Sequence, residues 1–249
     1  MPPTSQPNDQ HRGGRGPVAL VGGNEFTQPA RPLDAWLLER SGGDEVLVVP
    51  TAAARHHPEM AVETAAWHFG KVGGRVEGVM VLDRAAASDP RQVDRLAAAR
   101  FVYLPGGDPP VVADVLRGTP AWEAILAANA AGGVLAGSSA GAMVLGPHML
   151  APPWEEPVEG LGLLPDVVVV PHFDRLDAAR RDRYVDRALR VLPGFADGAV
   201  RLVGVYECTG VVLGTGGRVD VLGGGAAFVY EKGEQVRRWT APAEGERWE

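Results

Sequence analysis

The sequence predicts an α/β fold, with a mostly parallel sheet covered by helices on both faces and extra hairpins toward the C-terminus. Three observations carry that prediction. Short apolar runs alternate with longer segments of helical spacing from residue 18 to residue 137. The runs are apolar at nearly every position, as in strands buried on both faces. After the basic segment 176–192, strand-like runs follow one another closely across Gly-rich turns.

The strand-like runs are "VALVGG" (18–23), "EVLVVP" (45–50), "VEGVMVL" (76–82), "RFVYLPGG" (100–107), "GGVLAG" (132–137) and "DVVVVPHF" (166–173). Between the first five lie "PLDAWLLERSG", "PEMAVETAAWHFGKVGG", "DPRQVDRLAAA" and "TPAWEAILAANAAGG". Each has helical spacing, with Pro or Asp near its start or Gly at its end. "LDAARRDRYVDRALRVL" (176–192) reads as a basic helix. "RLVGVYE", "GVVLG", "RVDVLG" and "AAFVYEKGEQVRRW" then read as strands and hairpins that extend the sheet or form a small side sheet.

Residues 1–16, "MPPTSQPNDQHRGGRG", are polar and rich in Pro and Gly. Without an apolar h-region they predict a disordered tail, not a secretory signal. No fixed-period repeat or linker divides the rest, so residues 17–249 are expected to form one domain. Charged residues make up 22% of the 249, and the net charge is −7. That acidic balance argues against a general nucleic-acid binder. No apolar stretch approaches the about 20 residues of a membrane span. The single cysteine, Cys208, fits a reducing compartment and a cytoplasmic location.

Chemistry concentrates around "GVLAGSSAGAMVLG" (133–146). Gly137-Ser138-Ser139-Ala140-Gly141 matches G-x-S-x-G between a strand and a helical pattern, the context of a nucleophile elbow. Ser139 then occupies the strained turn, and the following helix aims its N–H groups and dipole at it. A Gly-rich turn without chemistry is the competing reading.

A nucleophilic serine needs a base. Of six histidines, only His148 and His172 lie beyond Ser139. His172 ends "VVVVPH", at the carboxyl end of a buried strand, where open parallel sheets place their sites. Glu207 ends "RLVGVYE" in the same manner, and Asp174 competes with it to orient the imidazole. The order Ser, His, acid differs from the Ser, acid, His of α/β-hydrolases. Backbone N–H groups of Ala140 and of Gly107 in "LPGGDPP" (104–110) suit an oxyanion hole. No Cys/His cluster suggests a metal site, and no cofactor is implied.

"LPGGD", "AGSSAGAMVLG", "GLGLLP", "VVPHFD" and "GVYECTGVVLG", in that order, resemble the dipeptidase E and cyanophycinase family of serine peptidases. The resemblance implies the three-layer, flavodoxin-like fold of class I glutamine amidotransferases for a single peptidase domain. It maps the family's serine, histidine and glutamate onto Ser139, His172 and Glu207. It also implies a taste for aspartyl peptides, and hence a cation among Arg175, Arg180, Arg181 and Arg183. Arg180 and Arg183 match the family's spacing best, and Asp108 of the G-G-D turn joins them as an expected substrate contact. The chain departs from cyanophycinases at Pro109 and Pro110, where an amide is typical. The expectation is a serine exopeptidase acting on short aspartyl peptides. An esterase or amidase with the same triad, or a non-catalytic binding domain, is the alternative. The expected partners are a small peptide and at most a second copy in a homodimer, with neither nucleic acid nor membrane.

Overall fold

The computed structural model describes residues 15–150 and 156–247, so the expected tail lies outside them except for Arg15 and Gly16. In chain order the strands are β1 (Val18–Val21), β2 (Glu45–Val48), β3 (Arg75–Gly78), β4 (Phe101–Leu104), β5 (Val134–Ser138), β6 (His148–Met149) and β7 (Val158–Glu159). They continue with β8 (Val167–Val170), β9 (Arg201–Val205), β10 (Thr209–Leu213), β11 (Arg218–Gly223), β12 (Ala226–Glu231), β13 (Glu234–Thr240) and β14 (Ala243–Arg247). The helices are α1 (Arg31–Ser41), α2 (Pro58–Gly70), α3 (Pro90–Ala97), α4 (Pro109–Leu116), α5 (Pro120–Ala130), α6 (Ala140–Met143) and α7 (Ala178–Val191).

The main sheet has eight strands in the order β14-β11-β10-β1-β5-β4-β2-β3. Strands β1 to β5 run parallel, and β10, β11 and β14 extend that sheet antiparallel. Alternate side chains of the parallel strands enter two different cores. Leu20, Leu47, Val102, Leu104 and Leu135 pack with residues of α3, α4 and α5. Val21, Val46, Val48, Phe101, Tyr103 and Ala136 pack with Leu33, Leu37 and Phe69 of α1 and α2. Burial on both faces explains the nearly unbroken apolar runs, and the result is a three-layer α/β sandwich.

A second sheet, β13-β12-β9-β8, packs with α7 around Val168, Phe173, Tyr184, Leu202 and Phe228. Both C-terminal expectations therefore hold together: some hairpin strands extend the main sheet and others build a side sheet. Strand β8 belongs to the side sheet, parallel to β9.

Three local readings change. "LPGGDPP" is not only a turn, because Pro109 and Pro110 open helix α4 with Asp108 at its N-cap. Proline is tolerated there, since first-turn N–H groups have no partner within the helix. "VEGVMVL" yields only the half-exposed strand β3. Beyond it, Val79 N–H bonds to Val48 O, and the chain turns back as Val81 N–H bonds to Val79 O. The helix after Ser139 is a single turn, so its dipole contributes little and its individual N–H groups matter more.

Helices α1 and α2 share a buried polar pair. Asp34 Oδ2 accepts from His68 Nε2 at 2.8 Å, with both side chains essentially sealed from solvent. Burial pushes the Asp34 carboxyl above its usual range, and His68 partly offsets that. Asp34→Ala leaves the buried His68 ring without its hydrogen-bond partner, so unfolding in denaturant should show a loss of about 1–3 kcal/mol. A loss below about 1 kcal/mol would mean the pair is dispensable. Among the described residues no helix is long and apolar enough to cross a membrane.

Candidate active site

The parallel strands β1, β4 and β5 deliver their carboxyl ends side by side, with Val21 opposite Ser138 and Leu104 opposite Gly137. Immediately after β5 the backbone of Ser139 takes φ 48° and ψ −111°, a strained conformation for a non-glycine residue. The glycines on either side make that turn fit. A Cβ at Gly137 would collide with the carbonyl of Gly141, and one at Gly141 with the carbonyl of Leu104. G-x-S-x-G is thus a packing requirement at this corner, which is how the sequence made it legible.

Ser139 Oγ lies 2.9 Å from His172 Nε2. His172 Nδ1 lies 2.6 Å from Glu207 Oε1. A carboxylate only accepts, so Nδ1 carries the proton and Nε2 faces the serine as an acceptor. His172 follows β8 and Glu207 follows β9, so one parallel pair of the side sheet supplies both. The loop after β1 joins the two sheets: His172 N–H bonds to Gly22 O, and Cys208 N–H to Gly23 O. At Gly23 a side chain would run into the His172 ring, so that position must stay bare.

Asp174 does not meet the imidazole. Its Oδ1 accepts from the backbone N–H of Glu207 at 2.9 Å, bracing the residue that does. Glu207 is also approached by Arg175, whose Nη2 lies 2.7 Å from the same Oε1. The Glu207 side chain is 14% exposed and that of Arg175 68%. One carboxylate oxygen therefore serves both the imidazole and a largely exposed guanidinium.

The N–H groups of Gly107 and Ala140 take no protein acceptor among the described residues. Asp108 follows Gly107, its N–H bonded to Ala52 O and its side chain 3.9 Å from Arg55. Arg180 and Arg183 are exposed on α7, and Arg180 Nε lies 3.6 Å from Asp177. Of the four arginines considered, only Arg175 touches Glu207. Arg181 instead lies over Phe173 and donates to the Tyr206 hydroxyl at 3.0 Å. It thereby clamps the neighbours of His172 and Glu207 against each other.

One residue at the site escaped the sequence reading. Glu25, in the loop after β1, accepts from Gly106 N–H at 2.7 Å and from Ser138 Oγ at 2.8 Å. The available signal was its place just past the carboxyl end of the first parallel strand, where such sheets put their sites. Ser138 and Ser139 therefore point to different partners, a carboxylate and an imidazole.

Known proteins match this architecture. The profile of peptidase family S51 matches residues 18–199. A cyanophycinase from Synechococcus elongatus is 28% identical over 250 residues, covering 93% of this chain and 73% of that protein. A cyanophycinase from Nostoc sp. is 29% identical over 230 residues, covering 87% of this chain and 74% of its own length. A crystal structure of a peptidase from an acI-B1 actinobacterium superposes with a TM-score of 0.81 at 28% identity, over 95% of this chain and 99% of the other.

Proposed function

Because the chain belongs to peptidase family S51 and is a serine-type peptidase, we propose that it is an exopeptidase that hydrolyses short aspartyl peptides through Ser139, His172 and Glu207. The observation that carries this reading is the unbroken line of hydrogen bonds from Ser139 Oγ through His172 to Glu207.

In the proposed reaction Ser139 Oγ attacks the scissile carbonyl carbon while His172 Nε2 takes the hydroxyl proton. The carbonyl oxygen becomes an oxyanion facing the N–H groups of Gly107 and Ala140. The C–N bond then breaks as the imidazolium returns the proton to the leaving amine, leaving an acyl-Ser139 ester. Water attacks the ester, again losing its proton to Nε2, and the free serine and the acid product separate. Glu207 holds the ring and stabilises the imidazolium in both halves. The buried thiol of Cys208 stays outside these steps and suits work in the cytoplasm.

An aspartyl side chain needs a cation in this acidic protein. Arg175 is the arginine of the 175–183 stretch already seated at Glu207. Arg180, Arg183 and Asp108 are the further contacts that the family resemblance suggests. Arg175→Met is expected to lower kcat/KM for Asp-Leu by about tenfold more than for Leu-Leu, a modest figure because the guanidinium is largely solvated. Steady-state kinetics on paired dipeptides checks this, with Arg180→Met and Arg183→Met in parallel. Selective loss in those two variants alone would move the subsite onto α7. Equal losses for both dipeptides in every variant would remove the aspartyl preference.

A further inference from the structure

Glu25 has no part in the steps above, yet its carboxylate borders the reacting centre. A methyl group placed on Gly106 would sit 3.0 Å from Glu25 Oε1, 3.2 Å from Ser139 Cβ and 3.7 Å from Ser139 Oγ. Carboxylate and nucleophile thus flank one small gap. Both oxygens are fixed, one by Gly106 N–H and the other by the buried Ser138 hydroxyl. Both donors are neutral, and no cationic side chain pairs with Glu25 among the described residues.

That placement is costly for hydrolysis by itself. Glu25 is bonded to the N–H of the residue just before Gly107, whose own N–H is proposed to meet the oxyanion. A negative charge beside a forming negative charge opposes the reaction unless a positive group lies between them. Among the described residues no cationic side chain pairs with Glu25, so the substrate is the source left for that charge. In a peptide cleaved after its first residue, the α-nitrogen lies two bonds from the carbonyl carbon under attack. With that carbon about 3–3.5 Å from Oγ, the protonated amine falls within reach of the far side of the same gap.

We propose that Glu25 is the residue that binds the free α-ammonium group of the substrate. This rests on the exopeptidase reading above. Ser138 then has a defined duty: it holds the carboxylate in place from below, which gives the second serine of "GSSAG" a role without nucleophilicity.

The test uses the rate at which Ser139 is labelled by a diphenyl α-aminoalkylphosphonate, compared with its N-acetylated form. Labelling forms an Oγ–P bond and expels phenolate, so it proceeds whether or not any chosen peptide is cleaved. The free amine should label the intact chain at least about tenfold faster than the acetylated probe. That advantage should fade as pH rises through the pKa of the probe's own amine, which titration of the probe gives. Glu25→Gln, which preserves shape and removes charge, should shrink the advantage below about threefold. Ser138→Ala, which loses one hydrogen bond but keeps the charge, should retain most of it. Equal slowing of both probes in Glu25→Gln would make the residue a brace only and overturn the proposal. So would a change confined to probes with a basic side chain, because the carboxylate would then read that side chain. Amine-selective labelling without peptide cleavage would instead sink the exopeptidase reading and leave the ammonium site standing.

Discussion

Ser139→Ala should lower kcat for a cleavable dipeptide by about 10⁴- to 10⁶-fold, leaving the residual rate that oxyanion donors and binding supply alone. The size follows from what is lost. Without Oγ there is no acyl intermediate, and water must attack the carbonyl unaided from a site shaped for a side chain. His172→Ala should cost a similar factor, because the serine then keeps its proton. The double variant should be scarcely worse than either single one, since the two act as a unit. Steady-state kinetics of the three variants on one substrate checks this, and additive losses would argue against a shared step. Ser138→Ala should fall far less. Its hydroxyl faces Glu25 and is fully buried, so it has neither a base nor access to a carbonyl.

Glu207→Gln should lower kcat by about 10²- to 10⁴-fold, while Asp174→Asn stays within about threefold. The amide keeps the shape of the carboxylate but can present N–H to His172 Nδ1. That favours the tautomer with the proton on Nε2, which cannot accept one from Ser139. The imidazolium formed during attack also loses its counter-charge. Asp174, by contrast, only accepts from the backbone N–H of Glu207, and an asparagine oxygen accepts there equally well. A reversed ranking of the two variants would hand the orienting role to Asp174. The comparison is informative because Arg175 shares Glu207 Oε1 with His172. Withdrawing charge from that oxygen should therefore affect all substrates, whereas the proposed aspartyl effect of Arg175→Met should be selective.

Much of this was legible in the chain because packing and chemistry coincide at the same residues. Gly137 and Gly141 are forced by backbone collisions at the elbow, so the motif survives as a pattern. His172 and Glu207 each follow a buried apolar run, and β8 and β9 pair in parallel to bring them to one edge. What sequence alone did not resolve depends on long-range placement. Nothing local separates Asp174 from Glu207; the register of β8 on β9 decides which acid meets the ring. The assignment of β8 to the side sheet is likewise a matter of partner choice among similar Val-rich strands. Pro109 and Pro110 read as a turn because proline stops helices in their interiors, yet at a first turn it starts one. Glu25 carried no motif at all. It gains its position only when the loop after β1 passes between the His172 ring and Gly106.

The most direct measurement is tandem mass spectrometry of the chain after reaction with a serine-directed fluorophosphonate. The predicted result is one adduct on Ser139, lost when His172 is replaced by alanine. An adduct on Ser138, or labelling of Ser139 that persists undiminished without His172, would contradict Ser139 as a nucleophile activated by that imidazole.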